Sequence, residues 1–112
     1  MLKKPPVIGG FFIFVIQPMK MDKGEYNFDK LFEVLSKESW PQVYYFKFIV
    51  RADNHLIARV QSLFNSNEAN ISMRRSAKGN YVTISAKEMM LTAESVVERY
   101  KKASEIEGII AL

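Results

Sequence analysis

Ser76-Ala77-Lys78-Gly79-Asn80-Tyr81 places a Gly-Asn turn between two runs of alternating apolar and polar residues, and this stretch decides the fold. Glycine accepts the positive φ that tight hairpin turns demand. Before the turn, Ile71 and Met73 alternate with Ser72 and Arg74; after it, Val82, Ile84 and Ala86 share one face while Tyr81, Thr83, Ser85 and Lys87 share the other. The spacing predicts an antiparallel hairpin with one greasy side.

Working outward, Val43 to Arg51 also alternates, with Tyr44, Phe46, Phe48 and Val50 pointing one way and Tyr45, Lys47, Ile49 and Arg51 the other. Between this strand and the hairpin, Asp53 or Asn54 caps a helix with an apolar stripe of either Leu56, Val60, Leu63 and Phe64 or Ile57 and Phe64, followed by a polar connection from Asn65 to Asn70. Downstream, Thr92 caps a second helix whose stripe is either Val96, Tyr100 and Ala103 or Ala93, Val97 and Tyr100, with Glu94 and Lys101-Lys102 suiting its dipole. Gly108 to Leu112 reads as a last short strand. The order β-α-β-β-α-β is that of an α+β, ferredoxin-like sandwich: a four-stranded antiparallel sheet with two helices on one face. A short lead-in helix precedes it, capped by Asn27, with Phe28, Leu31, Phe32 and Leu35 on one side and Trp40-Pro41 as its stop. Residues 27–112 form one domain; residues 1–26 form an amino-terminal extension.

Composition narrows the chemistry. A chain of 112 residues with 48% hydrophobic content supports one core and no more. Without cysteine there is no disulfide framework and no thiolate metal site, which fits a cytoplasmic protein. The net charge of +4 owes three of its cations to Lys3, Lys4 and Lys20, and from Met21 onward thirteen basic residues face twelve acidic ones. Net charge therefore gives no broad basic field for phosphate.

The run Val7 to Ile16, behind Lys3-Lys4, is too short to span a bilayer, and Gln17-Pro18-Met19-Lys20 offers no small-x-small cleavage site. Three readings stay open for it: a translation start at Met19 or Met21 that leaves it out, a short extra strand or interaction arm, or a targeting signal. No membrane association is expected.

Catalytic constellations are missing. His55 is the single histidine, at the start of a predicted helix, so no two-histidine metal site exists and only one nucleophile pairing is conceivable. The carboxylate pairs Glu105/Glu107 and Asp22/Glu25 lie in turns or termini, where solvated charge explains them. Gly9-Gly10 and Gly79 make no phosphate-cradling loop, and residues 51–54, after the strand that ends in Arg51, hold no glycine for an acylphosphatase-type phosphate loop. No enzyme, metal or cofactor is expected.

The segments Leu31-Phe32-Glu33-Val34-Leu35, Ser76-x-Lys78-Gly79-Asn80-Tyr81-x-Thr83-x-Ser85 and Thr92-x-Glu94 leading to Tyr100 resemble the YbeD-like family of small uncharacterised bacterial proteins, over about residues 28 to 112. That resemblance implies a ferredoxin-like fold likened to the ACT regulatory domain, which binds small ligands and associates through its sheets. It implies no activity. The chain departs from the family in its extension and in lacking a glycine at Arg51-Ala52-Asp53-Asn54.

These readings give an expected site on the uncovered side of the sheet. Tyr45, Lys47, Thr83 and Ser85 line it, Arg74 adds a cation, and Lys78, Gly79, Asn80 and Tyr81 form a recognition hairpin. The expected function is a non-catalytic regulatory or adaptor module, dimeric or partnered with another protein, with a small-molecule ligand as a further option. The alternative is single-stranded RNA binding, with Tyr45 and Tyr81 stacking on bases and Lys47, Arg74, Arg75 and Lys78 meeting phosphates.

Overall fold

The protein is described by a computed structural model covering residues 19–20, 27–64 and 69–112. The elements in chain order are β1 (Met19–Lys20), α1 (Phe28–Leu35), β2 (Gln42–Arg51), α2 (Asn54–Gln61), β3 (Asn70–Arg75), β4 (Tyr81–Met90), α3 (Ala93–Ala103) and β5 (Ile110–Ala111). Strand order across the sheet is β1-β5-β2-β4-β3, and every pairing is antiparallel. Each of the two helical crossovers, β2-α2-β3 and β4-α3-β5, skips one strand, which is the split βαβ arrangement of a ferredoxin-like sandwich. The expected four strands are present. The two-residue β1 lengthens the sheet to five by pairing with β5, and it lies inside the stretch assigned to the extension.

Alternation in β2 and β4 is the reason for the layering. Tyr44, Phe46, Phe48 and Val50, with Val82, Ile84, Ala86 and Met90, are buried on one side of the sheet. They meet Val60 and Phe64 from and after α2, and Ala93, Val96, Val97, Tyr100 and Ala103 of α3. Fully burying a large apolar side chain contributes about 1.5–3 kcal/mol, so this layer supplies most of the driving force. The rings are the bulk of it: Phe46 lies 5.5 Å from Tyr100 and 5.4 Å from Phe64, and Phe48 lies 5.6 Å from Tyr100. Burying two phenols requires hydrogen-bond partners, and the Tyr44 and Tyr100 hydroxyls meet at 3.1 Å.

Local signals place the helix ends. Asp53 accepts from the His55 and Leu56 amides, which settles the choice of cap for α2. Thr92 and Ser95 form a reciprocal capping box on α3. For α1, Asn27 caps as expected, but the helix stops at Ser36, several residues before Trp40-Pro41. Backbone turns from Lys37 to Val34 and Glu38 to Leu35 close it, and the Trp40 indole N–H donates to the Leu35 carbonyl at 2.9 Å. Of the residues that spacing places in the stripe, Leu31 and Leu35 are buried, whereas Phe32 sits at the rim, 38% exposed, lining a shallow groove with Val97, Glu98 and Lys101 of α3.

One polar element sits in this apolar layer, and the sequence reading missed it by ending β4 at Lys87. The strand continues to Met90, which places Glu88 on the helix side, where it is 6% exposed. Arg99 of α3 meets it in a two-pronged ion pair, Nη1 to Oε1 at 2.9 Å and Nη2 to Oε2 at 3.2 Å. The guanidinium carbon also lies 5.3 Å from the Phe46 ring centre and 5.2 Å from that of Phe64. Removing one partner strands the other charge away from water, so Glu88→Ala and Arg99→Ala should each lose about 3 kcal/mol in urea unfolding. The double change Glu88→Leu/Arg99→Met should recover most of that loss; a double variant as unstable as the sum of the singles would refute the ion-pair account.

Candidate binding face

Because β2 and β4 alternate, the side of the sheet away from the helices is a grid set by register. Going from one end to the other, Val43 faces Met89, Tyr45 faces Lys87, Lys47 faces Ser85, Ile49 faces Thr83 and Arg51 faces Tyr81. β3 adds Asn70 beside Lys87, Ser72 beside Ser85 and Arg74 beside Thr83. Ile110 of β5 lies beside Ile49. Among the described residues, no helix packs over this side.

Six of the expected site residues, Tyr45, Lys47, Arg74, Tyr81, Thr83 and Ser85, are thus brought together on one surface. Shallow grooves run across it, one lined by Tyr45, Lys47, Asn70, Ser72, Ser85 and Lys87, another by Lys47, Ser72, Arg74, Thr83 and Ser85 among others. Lys78, Gly79 and Asn80 are not on the face itself; they form the turn at its end, beside Tyr81 and Arg51. Arg75 belongs to the other side. It is paired with Val82 in register, so it points with the core residues, and its Nη1 donates to the Gly79 carbonyl at 3.2 Å. The neighbouring Arg74 alone serves the open face.

Spacing had assigned Arg51 and Lys87 to this side without counting them in the site, and the register makes them part of it. Each faces a tyrosine: Lys87 Nζ lies 5.8 Å from the centre of the Tyr45 ring, and Arg51 is directly opposite Tyr81. Six residues along β4 separate the Tyr45 level from Tyr81, about 20 Å at the rise of a strand, so the two rings mark opposite ends. Exposure is high at both, 59% for Tyr45 and 47% for Tyr81.

Charge on the face is one-sided. The strands β2, β3, β4 and β5 contain a single carboxylate, Glu88, and it points into the helix layer. The strand residues that face the open side therefore include Lys47, Arg51, Arg74 and Lys87 and no Asp or Glu; the nearest described acid is Asp53, the cap of α2, which lines a pocket with Arg51 and Tyr81 at one end. Near-neutral net charge had argued against a basic field; the alternation of the strands creates one locally by sorting the charges to different sides.

Residues 36–112, roughly two-thirds of the chain, match the profile of a family described as a protein of unknown function, DUF493. The chain belongs to that family. The DUF493 match spans all of β2 to β5 and therefore the whole described part of the open face except β1. No curated protein and no solved structure gives a significant match. No helix among the described residues is long and apolar enough to cross a membrane.

The hairpin that closes one end of the face depends on Gly79. The Gly79 amide donates to the Ser76 carbonyl at 2.9 Å, the Ser76 amide to the Tyr81 carbonyl at 2.8 Å, and the Asn80 carbonyl accepts from Ala52 at 2.9 Å. Gly79 has φ +77°, and an added Cβ would come no closer than 3.8 Å to Arg75 Cδ, so the cost of a side chain is backbone strain without a clash. Gly79→Ala should destabilise by about 1 kcal/mol in chemical denaturation, and Gly79→Asn by less, since asparagine enters the left-handed region more readily. Equal losses for the two variants would show that steric contact governs the site.

Proposed function

We propose that the protein is a non-catalytic binding module of regulatory or adaptor type, and that its open sheet face engages an anionic partner. One observation carries the reading: the strand positions of a solvent-exposed face that no other described element covers hold four cations and no carboxylate side chain. The resemblance to YbeD-like proteins and to ACT regulatory domains supports a binding role. Like-charge repulsion points away from self-association through this face, because a face-to-face pair of copies would oppose Lys47, Arg51, Arg74 and Lys87 with no Asp or Glu at the facing strand positions. The outer edge of β3, which pairs with no other described strand, is compatible with sheet-edge association. The cysteine-free composition supports a cytoplasmic module, and the shallow grooves favour an extended partner over an enclosed small ligand.

Immobilised heparin, a polyanion, tests the face directly. Lys47→Glu/Arg74→Glu should elute at markedly lower salt than the wild type. The helix-side control Lys30→Glu/Lys101→Glu changes net charge by the same amount and should elute close to the wild type, well above the face variant. Equal displacement of both variants would mean that net charge alone drives retention, and the face would lose its role.

A further inference from the structure

We infer that the anionic partner is single-stranded RNA, lying lengthwise on the open sheet between Tyr45 and Tyr81. This rests on the reading that the open face is the binding surface, and it adds the identity of the occupant. The register supplies the argument. At each end a tyrosine ring stands directly across from a cation, Tyr45 from Lys87 and Tyr81 from Arg51. A base stacked on either ring brings its phosphate within reach of the facing ammonium or guanidinium, so the same two-part nucleotide contact occurs twice on one surface. An acidic protein segment would satisfy the cations but would leave the exposed faces of the two rings without a stacking partner other than Lys87 over Tyr45.

The middle of the face completes the path. Lys47 and Arg74 flank a row of hydroxyls in which Ser72 faces Ser85 and Thr83 follows one step on. Hydroxyls that donate and accept suit the ribose 2′-OH, the group that separates RNA from DNA. The 20 Å between the rings is too long for neighbouring bases to stack on both. It suits a strand of about four nucleotides, the lower end of the site sizes known for sheet surfaces, with its terminal bases on the rings and its inner phosphates over Lys47 and Arg74.

Fluorescence anisotropy of the full chain with labelled rU12, dT12 and a 12-base-pair RNA duplex, titrated with KCl, tests the assignment. Expected results are binding of rU12 in preference to dT12 and to the duplex, with log K falling against log salt at a slope of about −2.8 for four phosphates. Lys47→Gln/Arg74→Gln should reduce that slope by about half. Tyr45→Ala and Tyr81→Ala should each weaken rU12 by about tenfold with the slope unchanged. No rU12 binding by a protein whose heparin retention still depends on the face would overturn RNA as the occupant and leave the anionic-partner reading standing. Equal affinity for dT12 would overturn the ribose argument, and equal affinity for the duplex with tyrosine variants indifferent would reduce the face to a general polyanion surface. Loss of face dependence on heparin itself would remove both readings.

Discussion

The guanidinium of Arg99 sits where four parts of the chain meet. It pairs with Glu88 of β4, lies against Phe46 of β2 and Phe64 just after α2, and is carried by α3. A planar cation suits this place because it can form two parallel hydrogen bonds in its plane while presenting its faces to rings, which an ammonium cannot do. The pair also fixes the axial position of α3 on the sheet, since a slip of one turn would leave a carboxylate in an apolar layer with no partner. The aromatic layer supplies the bulk of the attraction; the ion pair selects one arrangement of it.

The same interaction has a consequence on the far side of the sheet. Glu88 is the one acidic residue in the strands from β2 to β5, and the strand parity that turns it toward Arg99 turns Lys87 and Met89 outward. Had the carboxylate fallen one position earlier or later, it would have stood beside Tyr45 or at the Val43 level and neutralised part of the cationic grid. Pairing inside the core and positive potential outside it are thus two results of a single register. Beyond the cations, Val43, Met89 and Leu91 are exposed at the Tyr45 end, so the surface passes from apolar to basic along its length.

Much of this was legible from residue order. Period-two alternation in Val43 to Arg51 and in Tyr81 to Lys87, glycine at the turn, and Asn27, Asp53 and Thr92 as caps are local signals, and local sterics and hydrogen bonding enforce them wherever the segment sits. Less was legible where a distant partner decided the outcome. The stop of α1 at Ser36 reflects backbone turns that spacing does not encode, and the partial exposure of Phe32 reflects its place at the rim of the contact between α1 and α3. The end of β4 was read too early because Glu88 looks like a break in an apolar pattern until Arg99, eleven residues away, is seen to neutralise it.

By itself, the amino-acid order determined the ferredoxin-like sequence of elements and the membership of Tyr45, Lys47, Thr83 and Ser85 on one side of the sheet, because alternation is a property of each strand alone. Only the tertiary structure decided that each tyrosine faces a cation and that the one acidic strand residue, Glu88, is paired with Arg99 on the helix side. Those outcomes depend on cross-strand register, and register is set when separate segments pair and bury a common side, an event no single stretch of chain specifies.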